Sequence, residues 1–285
     1  MYKFAQGMNG IPTPRGLLEG QTAIVTGAAS GIGRATFLAL LEAGATTIAV
    51  DLHEAPLAQL MDDVHRANDA RPNTRCAAFT LDVRSEQDMA EMASRTLELS
   101  GRLDILVHCA GILRFPGASP RPLADLSVSE WDSVLETNLK GTFLSNRAVL
   151  SGMIENRSGQ IVNLSSTFGR QGRPLDSAYC ASKFGVIGLS ESLAQEVSRY
   201  GIKVHVILPA AVDTPLWEQN GHVPRPEEIL PPSRVAEFIV HLLTMPEDTI
   251  VIEPVIAPFQ PRRRGKLRKQ NSDVANLAPV IDAKK

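Results

Sequence analysis

The sequence predicts an α/β fold: a single domain on a doubly wound parallel sheet of about seven strands, with helices on both faces. Three observations carry this. Short runs rich in β-branched residues alternate with longer segments of helical period, the pattern of βαβ units. Several of those runs are apolar nearly throughout, as in Ile105-Leu106-Val107 and Val204-His205-Val206-Ile207-Leu208, which a strand covered on both faces requires. No internal repeat or second core divides the 285 residues, a length sufficient to bury a substantial core as one unit.

In chain order, strands are expected at 22–26, 46–50, 75–81, 103–108, 160–164, 203–208 and 249–252, where β-branched and apolar residues cluster. Helices are expected between them at 32–42, 55–68, 86–99, 130–154, 179–199 and 234–243, where the period lengthens. Residues 1–17 read as an extension leading into the first strand, and 18–260 as the domain. Residues 213–232 hold Trp217, Gly221, His222 and five prolines, the composition of a lid over the carboxyl ends of the strands. Beyond Pro261 the run Arg262-Arg263-Arg264-Gly265-Lys266-Leu267-Arg268-Lys269 opens a basic, solvated tail over 261–285.

Composition narrows the function. A formal net charge of −2 gives no electrostatic reason to invoke nucleic acid. The cysteines, Cys76, Cys109 and Cys180, are odd in number, lack metal-ligand spacing and suit reduced thiols. The N-terminus lacks the apolar core of a signal peptide, and no apolar run is long enough to span a bilayer. A soluble, cytoplasmic protein without a metal site is expected.

Two constellations carry chemistry. The first is Thr26-Gly27-Ala28-Ala29-Ser30-Gly31-Ile32-Gly33. Glycines between a strand and a helix permit a tight turn and bring backbone close to a pyrophosphate, while the helix N-terminus offers unpaired N–H groups. Gly27, Ser30, Gly31, Ile32 and Gly33 are therefore candidate dinucleotide contacts. Asp51 ends the second strand at the distance from this loop that suits an adenosine ribose, and its carboxylate repels a 2′-phosphate. Neither Ser30 nor Leu52 is basic, so NAD is favoured over NADP. Asp82-Val83 closes the third strand near an adenine edge, and Ala110-Gly111 leaves room for cofactor at the fourth.

The second constellation is Asn138, Ser166, Tyr179 and Lys183. Tyr179 and Lys183 lie four apart, on one helix face. A tyrosine of ordinary pKa near 10 is a poor base, but an adjacent ammonium and a positive nicotinamide ring both favour the phenolate. Ser166 can hold a substrate oxygen, and Asn138 can anchor a water that carries the proton away past Lys183. Together the two groups point to hydride transfer at an alcohol or ketone.

Through these residues the chain resembles the short-chain dehydrogenase/reductase family, in its shorter single-domain form, from about Leu18 to Val255. The resemblance implies a seven-stranded Rossmann sheet and, by spacing to the tyrosine, Ser166 rather than Ser165 as the catalytic serine. It also implies that Lys183 and Tyr179 meet the nicotinamide ribose and that Pro209, Val212 and Thr214 contact the carboxamide side. Dimers or tetramers joined through the helices at 130–154 and 179–199 are implied too. The family's usual Asn-Asn-Ala-Gly here reads His108-Cys109-Ala110-Gly111, its Pro-Gly reads Pro209-Ala210, and its Asp-Gly-Gly ending reads Glu253-Pro254. His108 and Cys109 are expected to pack at a strand end, since the proton relay is complete without them.

By family position the substrate pocket draws on Leu113, Arg114, Thr167, Phe168, Arg170, Arg173, Trp217 and His222. Arg114, Arg170 and Arg173 either clamp an anionic substrate or are solvated or subunit-interface residues, the second being favoured. Phe168 and Trp217 suit an apolar or ring-shaped substrate. Two other functions compete: an NAD-binding sensor with little turnover, and a reductase of 3-oxoacyl thioesters.

Overall fold

The computed structural model describes residues 16–68 and 75–259. The basic tail and all but the last two residues of the N-terminal extension lie outside these residues. Seven parallel strands form one sheet: β1 (Thr22–Thr26), β2 (Thr46–Asp51), β3 (Cys76–Thr80), β4 (Ile105–His108), β5 (Gly159–Leu164), β6 (Ile202–Pro209) and β7 (Val255–Ile256). Their order is β3-β2-β1-β4-β5-β6-β7. Helices connect them: α1 (Gly31–Glu42), α2 (Glu54–Asn68), α3 (Glu86–Ser100), α4 (Val128–Leu135), α5 (Gly141–Asn156), α6 (Ser177–Val197) and α7 (Pro232–Leu243). This is the predicted doubly wound Rossmann sheet.

Both faces are buried, which accounts for the apolar strand runs. On one face Phe37, Leu40, Leu57, Leu60, Val235 and Ile239 pack α1, α2 and α7 on the sheet. On the other, Met89, Met92, Leu144, Met153, Leu193 and Val197 do so for α3, α5 and α6.

Two elements depart from expectation. The seventh strand is Val255–Ile256 rather than 249–252. The earlier segment does run beside β6, but side chains hold it: Lys203 Nζ donates to Thr249 O (3.1 Å), and His205 Nδ1 lies 3.4 Å from Val251 O. Backbone pairing begins only where Leu208 N donates to Pro254 O (2.9 Å) and Ala210 N to Ile256 O (2.8 Å). Apolar β-branched composition marks both stretches, and only pairing with β6 separates them.

The helix expected at 130–154 begins earlier, at Val128, where Ser127 and Glu130 form a reciprocal capping box. It is also interrupted by a π-helical turn, Glu136–Lys140, between α4 and α5. Such a turn adds a residue to the helix and re-aims the side chains on it. Asn138 lies inside it and is fully buried.

Candidate active site

The chain builds outward from β1 to β3 and then returns to place β4 on the other side of β1. The strand order therefore reverses between β1 and β4, and the crevice beyond their carboxyl ends is where such sheets take ligands. The glycine loop, Ala110-Gly111, Ser166 and the segment after β6 all leave strand ends on that edge.

Ser30 caps α1 in an extended conformation and makes no side-chain cap bond, so the N–H groups of the first turn face outward unclaimed by it. Gly33 permits the close turn: a Cβ there would lie 2.0 Å from Gly27 O. Thr214 reaches across from the β6 side, with Cγ2 3.0 Å from where a Cβ on Gly31 would sit. Asp51 is fixed at the end of β2, accepting from Ala29 N (3.0 Å) in the loop and from His53 N (3.1 Å). Leu52 is exposed beside it. Asp82 faces the same rim, but both its oxygens accept from the Arg84 guanidinium, which holds its carboxyl below the usual range. Val83 is buried against Gly141. Ala110 N donates to Thr26 Oγ1 (3.3 Å), tying the β4 end to the glycine loop. Pro209 ends β6, and Val212 is buried and bridged to Leu230.

Asn138, Ser166, Tyr179 and Lys183 are all buried. Asn138 Nδ2 donates to Ile112 O (2.8 Å) and Ser182 Oγ (3.0 Å), while its Oδ1 accepts from Ile112 N (2.8 Å). The π turn thus aims the amide at the loop after β4. Lys183 Nζ donates to Leu164 O (2.8 Å) and lies 5.7 Å from the Tyr179 ring centroid. A Cβ on Gly111 would stand 3.1 Å from Asn138 Oδ1 and 3.6 Å from Lys183 Nζ, so these three residues border one space. Ser166 Oγ accepts from Phe168 N (3.1 Å).

Burial dominates the titration of this cluster. It pushes Tyr179 up to about 12, against the lowering effect of the Ser166 hydroxyl and with a further push from the Asp176 charge. It pushes Lys183 down to about 8. In the protein by itself, then, burial chiefly raises the tyrosine, and the nicotinamide ring's positive charge belongs to the bound state. Lys183 Nζ is itself anchored to a backbone carbonyl, Leu164 O.

His108 and Cys109 behave as strand-end packing. His108 is buried, with Nδ1 2.9 Å from Thr26 Oγ1 and 2.8 Å from Ser145 Oγ, and burial with the Lys183 charge pushes it down to about 3. Burial pushes the Cys109 thiol up to about 12, so it is not a nucleophile at neutral pH.

The three arginines are neither free clamps nor uniformly solvated. Arg114 is buried and paired with Asp176, an ion pair the sequence does not announce. Arg173 Nε lies 3.1 Å from Asp176 Oδ2, off the line of a hydrogen bond, with the guanidinium 5.2 Å from the Phe168 ring centroid. Arg170, half-exposed, pairs with Glu253 and approaches Glu191 (3.6 Å). Leu113 is buried and packs with Tyr179, Phe168 and Leu216. Thr167 opens the short 3-10 turn after Ser166. Trp217 Nε1 donates to Val212 O (2.7 Å), and His222 is exposed.

Asp176 and Gln219 are missing from the expected set. Asp176 carried one signal, as an acid preceding a helix three residues before Tyr179. Gln219 carried none, because its partners, Leu113 N and Arg114 N, lie more than a hundred positions away.

The sheet order and this buried cluster define a nucleotide-dependent oxidoreductase of the short-chain type. Comparison with known proteins agrees: a family model of short chain dehydrogenases matches residues 21–223, and the chain belongs to that family. It is 39% identical over 228 residues to a D-threitol dehydrogenase of Mycolicibacterium smegmatis, covering 77% of this chain and 82% of that one. It is 36% identical over 202 residues to the 3-oxoacyl-[acyl-carrier-protein] reductase FabG of Thermotoga maritima, covering 71% and 78%. Among solved structures, levodione reductase superposes with a TM-score of 0.75 at 28% identity, covering 84% of this chain and 96% of that one. The family uses nicotinamide cofactors, and the residues here fit one. The α1 amides suit phosphates, and the fixed Asp51 carboxylate suits a ribose. Among the described residues no helix is long and apolar enough to cross a membrane.

Proposed function

We propose that this protein catalyses reversible, NAD-linked oxidation of a neutral secondary alcohol to its ketone, with Tyr179 exchanging the hydroxyl proton. The observation that carries this reading is the convergence of Asn138, Ser166, Tyr179 and Lys183, buried together at the strand-order reversal. The cofactor supplies the hydride acceptor at the substrate carbon. Ser166 Oγ holds the substrate oxygen. Tyr179 takes its proton in oxidation and returns it in reduction. Lys183, fixed by Leu164 O, orients the ribose, and Asn138, fixed by Ile112, holds the exit path of the proton. Alcohol oxidation releases a proton and ketone reduction consumes one, so oxidation rises with pH.

NAD over NADP is supported by Asp51, fixed at the ribose position with the apolar Leu52 beside it, and by Arg34 on α1 being paired with Asp63 on α2 (3.0 Å). Lys183, Val212, Thr214 and Pro209 are assigned to the nicotinamide half. A neutral substrate is supported by the pairing of Arg114, Arg170 and Arg173 with carboxylates of the chain itself.

The test is reduction of NAD and of NADP by a panel of secondary alcohols in matched neutral and anionic forms, with 3-oxoacyl thioester reduction run alongside. Turnover with NAD and neutral alcohols is expected, and Tyr179→Phe should abolish it while leaving NAD affinity within a few-fold. Full activity in Tyr179→Phe would sink the mechanism. NAD binding with no turnover across the panel would favour a sensor.

A further inference from the structure

Arg114 is a buried guanidinium that reaches from the loop after β4 to two other segments around the tyrosine. Its Nη2 pairs with Asp176, the residue that precedes α6 and whose carbonyl accepts from Cys180 N (2.8 Å) one turn further on. Its Nη1 donates to Gln219 O (3.2 Å) and Asn220 Oδ1 (3.3 Å) on the 3-10 segment Pro215–Asn220. The Leu113 and Arg114 backbone N–H groups both donate to Gln219 Oε1, at 2.8 and 3.2 Å. Asn220 is itself fully buried and donates to Val223 O (3.2 Å). Next to it Gly221, at φ 59°, lies so close to the loop that a Cβ would meet Pro120 Cδ at 3.0 Å.

These contacts frame the space beside Tyr179. Leu113, Phe168 and Leu216 pack with the tyrosine, and each comes from a different segment: the loop after β4, the turn after β5 and the 3-10 segment after β6. Apolar contact among three side chains does not fix how far apart three loops stand. A buried charge does, because it must find its opposite charge and its acceptors or bear a large desolvation cost. Arginine suits this use, since its planar fork presents donors in fixed directions to several acceptors at once.

We infer that Arg114 is a positioning residue: with Asp176 and Gln219 it latches the Pro215–Asn220 segment over the tyrosine pocket and so sets the fit of the substrate. The inference deepens the dehydrogenase reading and rests on it for its kinetic consequence, though not for the latch itself. Asp176 is the counter-ion that Arg114 meets, so this guanidinium shapes the wall rather than binding an anion. Gln219, two residues after Trp217, reads the backbone of the opposite loop and transmits the position of the ion pair to the segment that carries Leu216.

Two readouts test it, on the full chain. The first is amide hydrogen exchange over residues 215–221, which needs no substrate. Arg114→Met, Gln219→Ala and the double variant Arg114→Met/Asp176→Asn should each speed exchange there by about tenfold or more, leaving β1 and β4 protected. The double variant leaves no unpaired carboxylate at position 176, so it guards against a simple failure to fold. The second readout is steady-state kinetics with the best alcohol of the panel. KM should rise by about tenfold or more, with kcat and NAD affinity changed by only a few-fold, and Arg114→Lys, which keeps the charge but loses the fork, should recover part of the loss. Unchanged exchange at 215–221 in the double variant overturns the latch. Faster exchange with unchanged KM overturns the positioning role. If the wild type turns over no alcohol, the dehydrogenase reading fails by itself and the exchange result still decides whether the latch exists.

Discussion

His108 shows how one buried side chain ties this site to the stability of the fold. Its Nδ1 stands between the hydroxyls of Thr26 and Ser145, while Nε2 has no hydrogen-bond partner among the described residues. Ser145 also donates to Gly141 O (2.8 Å), and Thr26 Oγ1 accepts from Ala110 N. The imidazole thus joins the glycine loop, the end of β4 and helix α5. It is held neutral by burial and by the Lys183 charge, with its pKa pushed down to about 3 from the ordinary 6.5. Above about pH 6.5 the folded and unfolded forms are both neutral and this group adds no pH dependence. Between 6.5 and 3 the unfolded chain takes up a proton that the fold refuses, so stability falls as pH falls, by about 1.4 kcal/mol per unit at most. His108→Asn should flatten that acid limb. Denaturant melts of both proteins from pH 7 to 4 will show it, and identical slopes would mean that His108 does not titrate as its burial requires.

Among the elements, the end of β2 fixes Asp51, on which the proposed NAD preference rests, and the π turn fixes Asn138, to which the proposed proton exit is assigned. Register places Asp51 beside Thr80 on β3, and a hydrogen bond from Ala29 N turns its carboxylate toward the glycine loop. A 2′-phosphate brought to this strand end meets a fixed negative charge. Asp51→Ala with Leu52→Arg should therefore reverse the preference toward NADP, read as the ratio of kcat/KM for the two cofactors. A wild type that already prefers NADP would show that the carboxylate does not decide the matter. The π turn was not legible in advance. The composition of 130–154 reads as one helix, and the turn is stabilised by Asn138 reaching Ile112 and Ser182, partners distant in sequence. The seventh strand was misplaced for a related reason, since pairing to β6 and not local composition selects Val255–Ile256.

At the scale of the whole molecule, the surface left by the fold carries apolar side chains on two neighbouring helices. Phe143 on α5 and Phe184 on α6 are 41% and 46% exposed, and Leu175 just before α6 is 44% exposed. Exposed aromatics on adjacent helices are a surface that a second copy can cover. We expect a homodimer or homotetramer by light scattering on a sizing column at micromolar concentration, and Phe184→Arg should shift it to a smaller species. A wild type that elutes as a monomer would rule this out.

The amino-acid sequence alone determined the doubly wound sheet, the glycine loop, the Asp51 position and the Asn-Ser-Tyr-Lys set. Each of these is written in local pattern: strand and helix periods, turn glycines, and residues at fixed separations within or beside one element. Tertiary structure decided the rest. It paired Arg114 with Asp176 and docked Gln219 on the loop after β4. It also anchored Lys183 to Leu164 O, leaving burial to set the tyrosine's proton affinity. Charge burial and hydrogen-bond satisfaction depend on which segments meet in space. In this fold those segments leave different strands and come together only where the strand order reverses.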